Sequence, residues 1–308
     1  LFRSEMVNDY QVAPDGQNVA FRQNYEAFVM PLLPGTQDVS VDQKGGPLPV
    51  TRVSAEGADF INWSNGGARI HWSMGPTLFT ADTEALYANA PAPADAPKDG
   101  AKESGKFKPV ATGVSLSMEV AADKPTGVVA LTGARIVTMA SKDGGVIDDG
   151  VIVINGDRIV SVGPKAGAAI PAGAKVIDVA GKTIIPGLVD AHAHGPQGED
   201  DLVPQQNWSS MVNLAMGATT IHDPSARAAE IFVAGEMQRA GKILAPRTFS
   251  TGEIIYGAKA PEVYAEINTL DDALAHVRRL KSQGAHSVKN YNQPRREQRQ
   301  QLIQAARD

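Results

Sequence analysis

The chain has 308 residues, with 29 Lys and Arg against 34 Asp and Glu, and it contains no cysteine. Its net charge of -5 offers no basic surface to neutralise phosphates, which excludes generic nucleic-acid binding. No apolar run reaches the ~20 residues that span a bilayer, so no transmembrane helix is predicted. The lack of cysteine excludes thiolate metal sites and a cysteine nucleophile, and the length predicts about two domains.

The first region, residues 1–82, has short alternating apolar runs separated by tight turns, a pattern that predicts antiparallel β structure. The turn and strand of Val12–Phe21 recur about 50 residues later at Trp63–Trp72, and a repeat of this size is typical of propeller blades. The segments Ala13–Gly16 and Ser54–Gly57 resemble the TolB-like (WD40-like) propeller family. We therefore expect a partial antiparallel β-propeller, and an ordinary β-sandwich with glycine turns remains the alternative.

Residues 83–126 are rich in Ala, Pro and Lys and are predicted to form a linker and a connecting strand, because few large apolar side chains are present to bury. Residues 127–186 then predict a small β-sandwich module. Its expected strands are Val128–Leu131, Ala134–Thr138, Val151–Ile154, Arg158–Val162 and Lys175–Val179.

From residue 187 to residue 308 short strands alternate with helical patterns, which indicates βα units and a parallel sheet. The expected helices are part of Leu202–Met216, then Arg227–Ala240, Leu270–Gln283 and a last helix, and the expected strands are Ala218–Ile221, Arg247–Ser250 and Ser287–Lys289. A closed (β/α)8 barrel takes about 250 residues, so we expect only the first half of such a barrel, with four βα units.

Two histidines, His192 and His194, close the apolar segment that opens this last region. Residues i and i+2 of a strand face the same side, so both imidazoles can reach one metal ion without backbone strain. Barrel enzymes build their sites at the carboxyl ends of the strands, and imidazole suits zinc, manganese, iron or nickel. Asp190 could accept a hydrogen bond from an imidazole N–H. The alternative is a pair of surface histidines in a loop.

The segment Pro186–His194, which reads PGLVDAHAH, follows a β module that ends at Gly181–Ile185. It resembles the amidohydrolase superfamily, in its imidazolonepropionase-like and prolidase-like branch, over residues 127–308. The resemblance implies a barrel flanked by a β-sandwich and one or two divalent metals, commonly zinc, with manganese, iron, nickel or cobalt as alternatives. It also implies that His192 and His194 bind one of these metals.

The same resemblance implies a role for Lys289, which closes the predicted strand Ser287–Lys289. In the family a carboxylated lysine at the end of the fourth strand bridges two metals, and carboxylation needs a neutral amine. A lysine that extends its ammonium to solvent is the alternative. The family's other histidine ligands and its general-base aspartate match nothing up to Asp308. We therefore expect them beyond residue 308, assign no catalytic base within the chain, and expect the chain alone to be inactive.

Four more residues are candidate substrate contacts, because each follows a predicted strand on the presumed active-site face. They are His222, Tyr256, Tyr291 and Asn292. Hydrogen-bonded loop residues without a substrate are the alternative. His276 and His286 are interpreted as packing or surface residues and not as ligands.

These features predict a metal-dependent hydrolase in which a metal-activated water attacks a C–N bond of an amide, a cyclic amide or a peptide-like compound. The expected partner is a small molecule or a short peptide. The alternative is a propeller-led binding protein with a non-catalytic barrel. The chain begins without Met and stops inside a predicted helix, so we expect a fragment truncated at both ends. Localisation and oligomeric state are left open by the sequence.

Overall fold

The computed structural model describes residues 2–35, 38–43, 48–88, 110–140, 145–260 and 263–308. The protein divides into two compact units. Unit 1 combines Leu1–Glu119, Asp223–Phe232 and Phe249–Asp308, and unit 2 combines Val120–His222 and Val233–Thr248. Within the described ranges no helix is long and apolar enough to cross a membrane. Within the predicted linker, residues 89–109 lie outside the described residues.

The N-terminal part of unit 1 is built from two four-stranded antiparallel sheets, which confirms the antiparallel β structure expected there. The strands are β1 (Phe2–Arg3), β2 (Val7–Val12), β3 (Asn18–Gln23), β4 (Glu26–Pro31), β5 (Val39–Ser40), β6 (Thr51–Arg52), β7 (Asp59–Ser64), β8 (Arg69–Met74), β9 (Thr77–Asp82) and β10 (Thr112–Ser115). One of the two has the order β2-β3-β4-β6, and the other has the order β10-β9-β8-β7; the short strands β1 and β5 form a separate parallel pair. A 3-10 turn, Asn65–Gly67, and the helix α1 (Thr83–Ala88) complete this part.

Both halves of the sequence repeat form hairpins, one around the turn before β3 and one around the turn before β8. Buried side chains from the two sheets share one apolar cluster, which includes Val29, Trp63 and Trp72. The Trp63 indole N–H donates a hydrogen bond of 2.8 Å to the Gln11 carbonyl. The repeat is therefore a pair of sheets packed together, and their assignment as propeller blades stays a prediction.

The β module of unit 2 is one five-stranded sheet of order β13-β12-β11-β14, with β15 also pairing with β11. Its strands are β11 (Val128–Val137), β12 (Val146–Asn155), β13 (Arg158–Pro164), β14 (Lys175–Asp178) and β15 (Thr183–Ile184). A tight turn joins β12 to β13, and Gly156 adopts a φ of 60° in it, a conformation that glycine reaches without strain.

The rest of the chain alternates strands with helices, as the sequence predicts, except that two strands follow one another between the second and third helices of this region. The elements are β16 (Leu188–Asp190), α2 (Trp208–Ala215), β17 (Ala218–Asp223), α3 (Ala228–Arg239), β18 (Arg247–Ser250), β19 (Ile255–Tyr256), α4 (Leu270–Gln283), β20 (Asn290–Tyr291) and α5 (Arg296–Arg307). Strand β16 pairs with β17 in parallel in a sheet of order β16-β17-β18, and β19 pairs with β20 in parallel. No closed barrel forms within the described residues.

One predicted strand is placed differently in the structure. The sequence predicts a strand over Ser287–Lys289, but the observed strand β20 starts at Asn290. Pairing with β19 sets this position, because the Ile255 N–H donates 3.0 Å to the Lys289 carbonyl and the register then aligns Ile255 with Asn290. Lys289 therefore precedes the strand that it was expected to close.

Candidate functional site

The histidine pair follows directly after strand β16 in unit 2. Strand β16 ends at Asp190, so His192 lies in the turn that follows it and His194 lies outside any regular element. Ala193 between them is buried, and its N–H donates 3.0 Å to the His222 carbonyl, which continues the parallel contact between β16 and β17. Because the chain alternates here, both histidines are exposed and their ring centroids lie 5.0 Å apart at an interplanar angle of 74°.

The structure gives Asp190 a different hydrogen bond from the imidazole contact that the sequence suggests. Its Oδ1 accepts from the backbone N–H of His192 at 3.0 Å. This is an Asx turn, in which a short carboxylate bonds to the backbone two residues on. Asp190 thus fixes the backbone that carries His192.

His222 is half-buried at the end of β17, and its carbonyl holds the backbone between His192 and His194. In unit 2 the structure therefore places His192, His194 and His222 at the carboxyl ends of the neighbouring parallel strands β16 and β17. Within the ranges that the structure describes, no group of three or more His, Asp or Glu side chains is arranged to hold a metal ion. The two imidazoles could supply at most two of the four donors that tetrahedral zinc takes, so further ligands would be needed.

Lys289 lies in unit 1, half-buried, immediately before β20. Its Nζ lies 5.0 Å from the centroid of the Tyr291 ring. In the part of the chain that the structure describes, no carboxylate forms an ion pair with this ammonium. The ammonium of Lys289 thus lies beside an aromatic ring.

Tyr256 and Tyr291 stand directly opposite each other on the parallel strands β19 and β20. Their ring centroids are 5.4 Å apart at an interplanar angle of 42°. The next residue, Asn292, is exposed and has a φ of 44°. Asparagine tolerates this left-handed conformation better than most residues, and such positions often occur at functional sites.

Sequence reasoning missed Gln293, which supports this pair of strands. Its side chain is buried, and its Nε2 donates 2.7 Å to the Ile255 carbonyl. Its Oε1 has no hydrogen-bond partner among the described residues, and it packs so close to Gly257 that a Cβ there would clash with it. Because Gln293 lies in a polar stretch, the sequence does not indicate that it is buried. Its spacing of two residues from Tyr291 is the one signal that could have identified it.

The two histidines that were not predicted as ligands lie in unit 1. The His276 ring is hydrogen-bonded to the Glu266 carbonyl through Nε2 at 3.2 Å, and the exposed His286 ring packs edge-on against Phe249 at 5.7 Å. Burial, with the nearby Arg279, lowers the pKa of His276 from 6.5 to about 4. Both histidines thus have contacts that account for them without a metal.

No protein-family model matches the chain, and no curated protein matches it. Among solved structures, the chain is similar to a protein from Bifidobacterium longum that is provisionally named a prolidase, with 26% identity over 53% of this chain and 40% of that one, at a TM-score of 0.44. It is also similar to a Xaa-Pro dipeptidase with bound methionine in the active site, with 20% identity over 59% of this chain and 54% of that one, at a TM-score of 0.46. A phenylurea hydrolase B shares 18% identity over 59% of this chain and 53% of its own, at a TM-score of 0.45. The chain thus spans about half, or less, of the length of these proteins.

Proposed function

We propose that the chain is part of a metal-dependent hydrolase of the amidohydrolase superfamily that cleaves a C–N bond in an amide, a cyclic amide or a peptide-like compound. The observation that carries the proposal is the exposed His192–His194 pair at the end of a strand in a parallel sheet. The motif Pro186–His194 supports the same family. In this proposal the two N-terminal sheets are blades of a TolB-like propeller.

The ligands that this chain would supply are the imidazoles of His192 and His194, and by the family resemblance a carboxylated Lys289. The expected ion is zinc, with manganese, iron, nickel or cobalt as alternatives. The chemistry that such an ion supplies when bound is activation of a water for attack on a carbonyl carbon.

Two contacts with the backbone hold the segment that carries these imidazoles. The Asp190 carboxylate holds the backbone N–H of His192 and so fixes the turn from which that imidazole projects. The His222 carbonyl fixes the backbone between the two imidazoles. We assign substrate contact to His222, Tyr256, Tyr291 and Asn292.

The test is the metal content of the purified full-length protein, measured by inductively coupled plasma mass spectrometry. We expect about one or two divalent ions per chain, and zinc affinity at least about tenfold weaker in His192→Asn and in His194→Asn, since loss of even an indirect partner weakens metal sites by this much. The matched control is His286→Asn, an exposed histidine that packs on Phe249, which should keep its metal.

Lys289→Met tests the third ligand, and a lower metal content in this variant supports its assignment. Metal-dependent hydrolysis of dipeptides or cyclic amides from a test panel would support the proposed reaction itself. Protein that contains no divalent metal, and whose affinity for zinc is unchanged by both histidine substitutions, contradicts the proposal. That result would favour the propeller-led binding protein.

A further inference from the structure

In the small parallel sheet β19-β20, Ile255 is buried on one face, and the opposite face is partly open. Ile255 on β19 is fully buried, in a cluster that includes Leu280 and Leu302. Successive residues of a strand point to opposite faces, so Tyr256 turns away from that core. Tyr291, paired with Tyr256, is 39% exposed. Two phenol rings therefore lie side by side on the open face.

This aromatic ledge, which we define as Tyr256 and Tyr291, is supported by hydrogen bonds of the residues around it. The Gln293 Nε2 donates to the Ile255 carbonyl, and an Arg299 Nη2 donates 3.2 Å to the Gln293 carbonyl. The Tyr256 carbonyl accepts from the Ala265 N–H at 2.8 Å. A ligand that binds here would meet rings already in place, which lowers the entropy cost of binding.

The groups beside the ledge define what it can bind. The Lys289 ammonium lies over the Tyr291 ring, and it has no carboxylate partner among the described residues. Asn292, exposed at the end of the ledge, offers one hydrogen-bond donor group and one acceptor. Aromatic rings prefer other rings at centroid distances of about 4.5–7 Å in offset or tilted geometry. The surroundings thus match a flat ring joined to an amide.

We propose that the aromatic ledge is a subsite, formed within unit 1, that binds a flat ring joined to an amide. The proposal goes beyond the proposed function and does not depend on it. It does not need a bound metal, since the ledge and its supports all lie in unit 1 and are formed by the chain itself.

The test is equilibrium binding of three probes by isothermal titration calorimetry, in the full-length protein without added metal. The probes are N-acetyl-phenylalanine amide, N-acetyl-cyclohexylalanine amide, which has a similar size without a π system, and N-acetyl-leucine amide. We expect the phenyl probe to bind about three- to tenfold more tightly than the cyclohexyl probe, the range that aromatic pairs contribute. Tyr256→Leu and Tyr291→Leu should remove this preference, whereas Tyr256→Phe and Tyr291→Phe should keep it.

The matched control is Tyr10→Leu, because Tyr10 also stacks on another ring, that of Phe2 at 5.3 Å, in the N-terminal part of the chain. This variant should keep the preference. Equal binding of the phenyl and cyclohexyl probes, no binding of any probe, or a preference that survives both leucine variants would each overturn the subsite. Failure of the hydrolase proposal appears separately, as absence of metal, so the two results can be told apart.

Discussion

His276 lies on helix α4, where its environment keeps it uncharged. The ring stands edge-on to Tyr25 with centroids 6.0 Å apart, and its Nε2–H donates to the Glu266 carbonyl. Burial is the largest cause of its lowered pKa, followed by the Arg279 charge, while the bond to Glu266 and the charge of Asp272 act in the opposite direction. A neutral histidine in the folded protein that becomes protonated on unfolding links stability to pH.

The first prediction concerns this linkage. The folded pKa of about 4 is below the unfolded value of 6.5, so the unfolded state binds more protons between these values. The stabilisation that a neutral His276 contributes should be fully present above pH 6.5 and should be lost as the pH falls towards 4. Urea unfolding at several pH values, compared between the native protein and His276→Gln, should show the difference in unfolding free energy shrinking over this window.

The native protein is compared with His276→Gln because the titration of other buried groups changes the stability with pH in the opposite direction. Burial raises the pKa of the Glu26 and Asp59 carboxyls, so these groups become more costly to bury as the pH rises. Their contribution cancels in the difference between the two proteins. A difference that stays constant from pH 7 to pH 4.5 would contradict the prediction for His276.

At the scale of elements, helix α4 shows what local sequence can determine. The Thr269 hydroxyl accepts from the Asp272 N–H at 3.2 Å, and the Asp272 carboxylate accepts from the Thr269 N–H at 3.0 Å, which is a capping box. At the other end Gly284 has a φ of 116° and closes the helix in the left-handed region. Both signals are within a few residues of the helix, and the predicted bounds Leu270–Gln283 match the observed ones.

The second prediction concerns this cap. Thr269→Ala removes the acceptor for a backbone N–H at the start of α4, and we expect a loss of about 1 kcal/mol of unfolding free energy. Thr269→Ser keeps the hydroxyl and should lose much less. Urea unfolding of the two variants measures the difference, and equal stability of Thr269→Ala and the native protein would show that the cap contributes nothing.

Strand β20 shows what local sequence does not determine. The sequence pattern favours a strand over Ser287–Lys289, yet the strand forms at Asn290–Tyr291, because its register is set by β19 about 35 residues earlier. The same limit applies to the candidate site. The proximity of His192 and His194 follows from their spacing alone, whereas the contact between Tyr256 and Tyr291 depends on a long-range register. The support from Gln293 depends on the tertiary structure as well.

At the scale of the whole molecule, unit 1 joins chain segments that are far apart in sequence. The tip of the β3–β4 hairpin, Asn24–Tyr25, has φ angles of 51° and 68°, as a two-residue turn between right-twisted strands requires. Tyrosine adopts this conformation at a cost of about 1 kcal/mol or more. Its ring is nevertheless buried in the same cluster as Ile255 and Leu280 of the C-terminal part.

Arg279 completes the junction between these segments. It is almost fully buried, and its guanidinium carbon lies 3.7 Å from the centroid of the Tyr25 ring. Its Nη1 donates 3.1 Å to a Glu253 carboxylate oxygen, and the other oxygen of that carboxylate accepts 2.9 Å from the Ala228 N–H at the start of α3. The hairpin tip, helix α4 and the start of α3 thus form one connected cluster. No local pattern in the sequence indicates this, because every contact joins residues distant along the chain.

The last prediction tests whether this junction makes unit 1 cooperative. Tyr25→Ala removes a buried ring and its contact with Arg279, and large-to-small changes of this kind cost about 3–5 kcal/mol. We expect hydrogen exchange, followed by mass spectrometry, to accelerate in α4 as well as in the hairpin, although the substitution lies in the N-terminal sheet.

Tyr25→Phe should leave exchange in α4 unchanged or slower, because the Tyr25 hydroxyl has no hydrogen-bond partner among the described residues and its burial is a net cost. Tyr10→Ala, in the same sheet, is the control for a general loss of stability, since Tyr10 packs with a different cluster. If Tyr25→Ala accelerates exchange in the hairpin alone, the N-terminal sheets and helix α4 unfold independently, and Arg279 does not couple them.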